Sequence, residues 1–221
     1  MVKYRKLYRF SYFYFFLSRC FQNDISFHYT MGLLSVLHKL KRSDNEARIL
    51  VLGLDNSGKT SILKRLSNET LKEVMPTQGF NVKTLVNNSF KLNMWDIGGQ
   101  KAIRPYWRNY FDKTDALIYV IDSSDKRRMK ETGTELDQLL AEEKLQGVPL
   151  MVFANKQDLL NALSLGEIRD ALHLKNINGR KWTIQACSSK TGEGLEEGFR
   201  WVMENLRGHG GEQATKTVPV R

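Results

Sequence analysis

The sequence predicts an α/β fold: a doubly wound, mostly parallel sheet with helices on both faces and one antiparallel hairpin at an edge. Three observations predict it. From residue 48 onward, apolar runs of strand length alternate with stretches patterned as helices. The apolar runs are near-continuous, as in parallel strands buried on both faces. Two such runs, Phe80–Val86 and Phe90–Trp95, follow each other across a short polar turn with no helix between them, and that pair forms the hairpin.

The elements follow in chain order. Residues 1–30 differ from the rest: they hold 11 of the chain's 23 aromatics and a net charge of +4 out of +10. A basic start followed by Phe10–Leu17 has the outline of a signal peptide, but no small-residue cleavage site follows it. The expectation is a poorly ordered aromatic and basic extension, with Met31 as an alternative start. The other reading is an arm that lies on a membrane surface. Residues 31–43 carry Leu33, Leu37 and Leu40 at helical spacing opposite basic positions, which predicts a short amphipathic helix. It either packs on the domain or makes weak, reversible membrane contact. Residues 44–207 form the predicted domain, and 208–221 a flexible tail.

Within the domain, Ile49–Leu54 reads as a buried strand and Lys59 to about Ser67 as a helix. The hairpin turns at Asn87-Asn88-Ser89. Ala116–Ile121 is the next strand, followed by a charged helix through about Glu143. Leu150–Ala154, a helix near 166–172, Trp182–Ala186 and a helix near 195–206 complete the series. Two cysteines in 221 residues cannot build a disulfide framework. No apolar run reaches the roughly 20 residues of a membrane helix. The excess charge is dispersed, and no aromatic-interleaved RNA motif follows residue 30, which argues against nucleic acid as a partner.

Four motifs carry chemistry. Gly53-Leu-Asp55-Asn56-Ser57-Gly58-Lys59-Thr60 matches G-x-x-x-x-G-K-[ST], between a strand and a helix. Such a loop turns its N–H groups onto phosphate oxygens, and the helix N-terminus adds positive potential. Lys59 reaches the β and γ phosphates, and the Thr60 hydroxyl ligates Mg²⁺; Ser61 follows it in the first turn. Asn155-Lys156-Gln157-Asp158 ends a strand about 100 residues later. The Asp158 carboxylate can accept from both N1–H and the exocyclic amine of guanine, whereas adenine offers it an acceptor. The Lys156 stem can cover the ring. Cys187-Ser188-Ser189, at the next strand end, can offer backbone N–H to the guanine O6. Asp96-Ile-Gly-Gly99-Gln100 follows a strand: Asp96 faces Mg²⁺ through water, Gly99 lets its N–H approach a γ-phosphate, and Gln100 orients the attacking water as the catalytic residue. Thr77 lies in the loop before the hairpin and can close on Mg²⁺ when a third phosphate is present. A P-loop kinase would need an acceptor site and lid arginines, and the sequence holds no such set.

Together with Pro76-Thr-Gln-Gly-Phe-Asn81 and Arg104-Pro-Tyr-Trp-Arg-Asn-Tyr-Phe111, these motifs resemble the ADP-ribosylation-factor-like small GTPases, from Met31 to about Leu206. The resemblance implies a Ras-like P-loop GTPase fold, GTP and GDP with Mg²⁺ as ligands, and slow hydrolysis stimulated by an activating protein that donates an arginine. It also implies a guanine nucleotide exchange factor, a monomer, and a hairpin over 81–95 that slides in register with GTP and expels the N-terminal helix. Gln78, Pro105 and the start Met31-Gly-Leu-Leu-Ser resemble the branch whose GTP form makes lipid-binding carriers release lipidated cargo, in the cytoplasm and at the cilium, centrosome or Golgi. Ile168–Leu172 leans toward a sibling branch linked to tubulin folding, and recruitment to membranes is a third reading. Ser57 and Ser189 stand where the family usually has alanine, and residues 1–30 have no counterpart.

Overall fold

The structure, a computed structural model, describes residues 46–71, 74–87 and 90–206. The extension, the amphipathic helix, the tip of the hairpin turn and the tail therefore lie outside the described residues. Among the described residues, six strands form one sheet: β1 (Glu46–Leu52), β2 (Phe80–Asn87), β3 (Phe90–Ile97), β4 (Ala116–Asp122), β5 (Leu150–Asn155) and β6 (Trp182–Ala186). Their order is β2-β3-β1-β4-β5-β6. Only β2 and β3 pair antiparallel, from Phe80 opposite Ile97 to Asn87 opposite Phe90; the other neighbours are parallel. This is the doubly wound, mostly parallel architecture with an antiparallel edge hairpin.

Among the described residues, four α-helices cover the sheet: α1 (Lys59–Leu66), α2 (Met129–Ala141), α3 (Leu165–Ala171) and α4 (Leu195–Asn205). Strand parity sorts the core into two layers. Ile49, Val51, Ile118, Val120, Met151 and Phe153 pack with Ile62 and Leu63 of α1 and Phe199, Val202 and Met203 of α4. Leu50, Leu52, Leu117, Tyr119, Leu150 and Val152 pack on the opposite face with Leu136 and Leu139 of α2 and Ile168 of α3. Burial on both faces is why β1, β4 and β5 lack polar alternation.

Helix α3 starts on a reciprocal cap: Ser164 Oγ accepts from the Glu167 N–H, and the Glu167 carboxylate accepts from the Ser164 N–H. The charged helix expected to run to Glu143 ends instead at Ala141, because Glu142 is extended. It is preceded by a single 3₁₀ turn, Lys126–Arg128, capped by Asp125. A second 3₁₀ segment, Arg104–Tyr110, has no periodic signature in the sequence; Trp107 and nearby Phe111 tie it to the α2 side of the core. The chain fills one side of the sheet from β1 through β3, then crosses to β4 on the other side of β1. The crevice beyond the carboxyl ends of β1, β3 and β4 is where such a sheet binds ligands.

Candidate functional site

The loop after β1 borders that crevice. Gly58 caps α1 with φ +94°. A Cβ there would lie 2.2 Å from Asn155 Nδ2, so glycine is required both by the turn and by the neighbour. Asp55, Asn56, Gly58, Lys59, Thr60 and Ser61 line a cleft of about 280 Å³ with Thr77, Gly99 and Gln100. Gly53 closes the loop's other end, where its carbonyl and that of Leu54 accept from Lys59 Nζ at 2.9 and 2.8 Å. Burial drives the Lys59 pKa down to about 8, against the opposing pull of Asp96 and Asp55. A buried ammonium in the first turn of a helix, beside that helix's N-terminus, suits an anionic ligand.

At the end of β3, Asp96 is fully buried. Its Oδ2 accepts from the Thr60 hydroxyl at 2.6 Å and from the Thr77 hydroxyl at 3.5 Å, while the two hydroxyls lie 2.8 Å apart. Its Oδ1 has no hydrogen-bond partner. Burial raises its pKa, offset in part by Thr60 and Lys59. An all-oxygen set of two hydroxyls and an unpartnered carboxylate oxygen fits Mg²⁺, a hard cation that keeps waters and shares phosphate ligands. Thr60 and Thr77 would hold it directly and Asp96 would hold its water; bound there, it would neutralise phosphate charge.

Gly99 is pressed against the loop after β1: a Cβ would lie 2.3 Å from the Gly53 carbonyl and 2.4 Å from the Asp55 N. Gln100 follows it, partly exposed at the cleft. Two arginines stand beside this region that motif reading left unassigned. Arg104 donates from Nε to the Gly99 carbonyl (2.8 Å) and from its terminal nitrogens to Glu131 (2.7 Å), Glu135 (3.0 Å) and Asp55 (3.4 Å). Arg128 donates to the Asp55 carboxylate and carbonyl, both at 2.9 Å, and to Asp125. Both guanidinia are committed to carboxylates.

The base side is built from β5 and β6. Asn155 is fully buried and braces three segments: Nδ2 donates to the Ser57 carbonyl (2.8 Å) and more weakly to Ser189 Oγ (3.4 Å), while Oδ1 accepts from the Ser189 N–H (2.9 Å). Its side chain thus fastens the phosphate loop to the base loop. Lys156 Nζ pairs with Asp122 at 2.6 Å, which pins its stem over the end of β4. Ser188 Oγ donates to Asp158 Oδ1 at 2.6 Å and so orients that carboxylate. The expectation that Ser188 and Ser189 present open N–H groups differs from what is seen. Ser188 N–H is held by the Glu193 carbonyl at 3.0 Å and Ser189 N–H by the buried Asn155 at 2.9 Å, because the local fold supplies each with a protein acceptor. Ser57 is buried with an unpartnered hydroxyl, the cost of a serine where alanine would be silent.

Comparison with known proteins agrees with this geometry. The family model described as the ADP-ribosylation factor family matches residues 33–206. ADP-ribosylation factor-like protein 3 of Chlamydomonas reinhardtii is 61% identical over 177 residues, covering 80% of this chain and 100% of that protein. ADP-ribosylation factor-like protein 2 of Dictyostelium discoideum is 53% identical over 176 residues, covering 80% and 96%. The solved structure of the Arl6 BBS3 small GTPase from Trypanosoma brucei, with the bound nucleotide analogue GppNp, superposes with a TM-score of 0.67 at 33% identity, covering 73% of this chain and 97% of that one. The glycine-rich loop after β1, the hydroxyls around buried Asp96 and the Asn155–Asp158 loop thus meet on a doubly wound sheet in a chain that matches these relatives along most of its length. This chain belongs to the ADP-ribosylation factor family of small GTPases, GTP-hydrolysing switches that bind GTP and GDP with Mg²⁺.

Proposed function

We propose that the GTP form of this protein engages lipid-binding carrier proteins and makes them release lipidated cargo, in the cytoplasm and at the cilium, centrosome or Golgi. The observation that supports this reading is an aromatic cluster next to the loop that carries Thr77. Phe80, half exposed, stacks on Trp95 at 5.6 Å and meets Tyr110 at 5.5 Å, with Val82 and Tyr106 exposed nearby. A partly exposed apolar patch fits a protein partner. Because the patch joins β2, β3 and the 3₁₀ segment, its shape follows any hairpin movement that GTP causes. The identity to a relative named Arf-like protein 3 points the same way.

In this reading, Gly53, Asp55, Asn56, Ser57, Gly58, Lys59, Thr60 and Ser61 hold the phosphates, and Thr60 and Thr77 hold Mg²⁺ with Asp96 behind it. Gly99 senses the γ-phosphate and Gln100 orients water. Asn155, Lys156, Asp158, Ser188 and Ser189 form the base pocket, with Asn155 as its brace. The amphipathic Leu33–Leu40 face gives weak membrane contact.

The test is release of a fluorescent prenylated or myristoylated peptide from its carrier. Protein loaded with a non-hydrolysable GTP analogue should release the peptide, the GDP form should not, and Phe80→Ala should blunt the effect. Equal behaviour of the two forms would sink the proposal. Identity to a relative named Arf-like protein 2 supports a second reading, a tubulin-folding regulator. GTP-dependent capture of a tubulin-folding cofactor without peptide release would favour it.

A further inference from the structure

We infer that Trp107 and Arg104 are positioning residues for GTP sensing and hydrolysis, each fixing one of the two successive peptide planes on either side of Gly99. Both project from the 3₁₀ segment Arg104–Tyr110, and neither is part of the phosphate, base or cation motifs. The inference is independent of the carrier reading. Its hydrolytic arm rests on the assignment of Gln100 as the water-orienting residue.

The first plane joins Gly98 to Gly99. Its carbonyl accepts from the Trp107 indole Nε1–H at 2.9 Å, and Trp107 is only 2% exposed. In a trans peptide the C=O and N–H point in opposite directions. With the Gly98 carbonyl drawn to the buried indole, the Gly99 N–H is turned away from Trp107. The same strand end is pinned by the Gly98 N–H, which donates to the Gly79 carbonyl at 2.8 Å. A rotation of this plane would therefore break a buried bond to an indole that has little room to follow.

The second plane joins Gly99 to Gln100. Its carbonyl accepts twice, from the Asp55 N–H at 3.1 Å and from Arg104 Nε at 2.8 Å. The Gln100 N–H is thereby turned the other way, and the Gln100 carbonyl is held in a turn by the Ile103 and Arg104 N–H groups. Arg104 is itself locked: its side chain is 5% exposed, and Glu131 and Glu135 of α2 take one terminal nitrogen. Arg128 holds the Asp55 carboxylate that faces the other. A fork of donors in fixed geometry is what a guanidinium provides and an ammonium does not. One short turn, braced by α2, thus sets the orientation of the groups that distinguish GTP from GDP. GDP has no γ-phosphate for these planes to address, so the two residues act on the GTP form selectively.

The experiment compares full-length Trp107→Phe, Arg104→Lys and Gln100→Leu with the unmutated protein. Dissociation rates of GDP and of a non-hydrolysable GTP analogue, single-turnover hydrolysis, and thermal unfolding of the GDP form are measured. Trp107→Phe keeps the ring and removes the donor; Arg104→Lys keeps the charge and removes the fork. Each should leave GDP release within about twofold and speed release of the GTP analogue about tenfold, the scale of one lost buried hydrogen bond. Hydrolysis should fall by a similar factor. Equal acceleration of GDP and analogue release, with matching loss of thermal stability, would mean a general packing role and overturns the inference. So do unchanged release ratios in both variants. If Gln100→Leu hydrolyses normally, the Gln100 assignment fails, while the release ratios still decide the positioning of Gly99.

Discussion

Single side chains set what this site can bind. Asp158 is the residue proposed to choose the base: Ser188 holds its Oδ1 at 2.6 Å, and the exposed Lys190 ammonium lies 3.9 Å from its Oδ2. Asp158→Asn should shift preference from guanine to xanthine nucleotides, whose C2 carbonyl accepts from the new amide; competition of GTP and XTP for one labelled nucleotide measures it. Lys59 makes binding pH-dependent. Its pKa in the folded protein is about 8, below the ordinary 10.5, because burial penalises its charge. Between those values the unfolded chain holds more protons, so without nucleotide stability rises with pH across that window. A bound phosphate favours the charged form and lifts the pKa. Binding near pH 9 should therefore take up a proton, and affinity should fall as pH rises above about 8. Calorimetry in buffers of different ionisation enthalpy measures the uptake, which Lys59→Met should remove.

At the scale of elements, close packing fixes how helices meet the sheet. Gly198 on α4 faces Phe153 of β5, and a Cβ there would lie 2.3 Å from the buried ring. Alanine would gain about 1 kcal/mol in helix propensity, yet overpacking a core ring costs about 1–3 kcal/mol. The ring is fully buried, so the second effect wins. Gly198→Ala should lower stability by about 1–2 kcal/mol, measured by denaturant unfolding of the nucleotide-bound protein. The hairpin obeys a related constraint. Leu85 on β2 and Leu92 and Met94 on β3 are buried, with the chain alternating faces between them. Any slide of the hairpin against β1 must therefore be by an even number of residues, since an odd slip would turn this apolar set outward.

For the whole molecule, ligand and fold are linked. Asp96 is buried with one oxygen unpartnered, and Lys59 is buried and desolvated. Both cost stability until Mg²⁺ and phosphates compensate them. Nucleotide with Mg²⁺ at about a thousand times its Kd should stabilise the fold by about 4 kcal/mol. Adding EDTA should accelerate nucleotide release and lower the unfolding temperature. An unfolding temperature indifferent to both Mg²⁺ and GDP would contradict this account of the buried charges.

The sequence by itself determined the strand and helix series, the sheet's direction rule and the identity of the motif residues. These are local matters: apolar runs of strand length, a glycine-rich turn before a helix, a short polar motif at a strand end. The boundaries of β6 read directly from its pattern, and α1 and α4 within a residue or so. What only the tertiary structure decided are contacts between segments far apart in the chain. Asn155 reads as a base-loop residue, but it is a brace to Ser57, 98 positions away. Arg104 and Trp107 read as part of a family motif without a stated task, and only the fold brings them under Gly98 and Gly99. The end of α2 at Ala141 and the 3₁₀ segment over Arg104–Tyr110 escaped periodicity as well, because their backbones follow capping and packing rather than a repeating face. Hydrophobic spacing along a chain encodes which face is buried. It does not encode which buried carbonyl will need a donor, and that need is what recruited the indole and the guanidinium here.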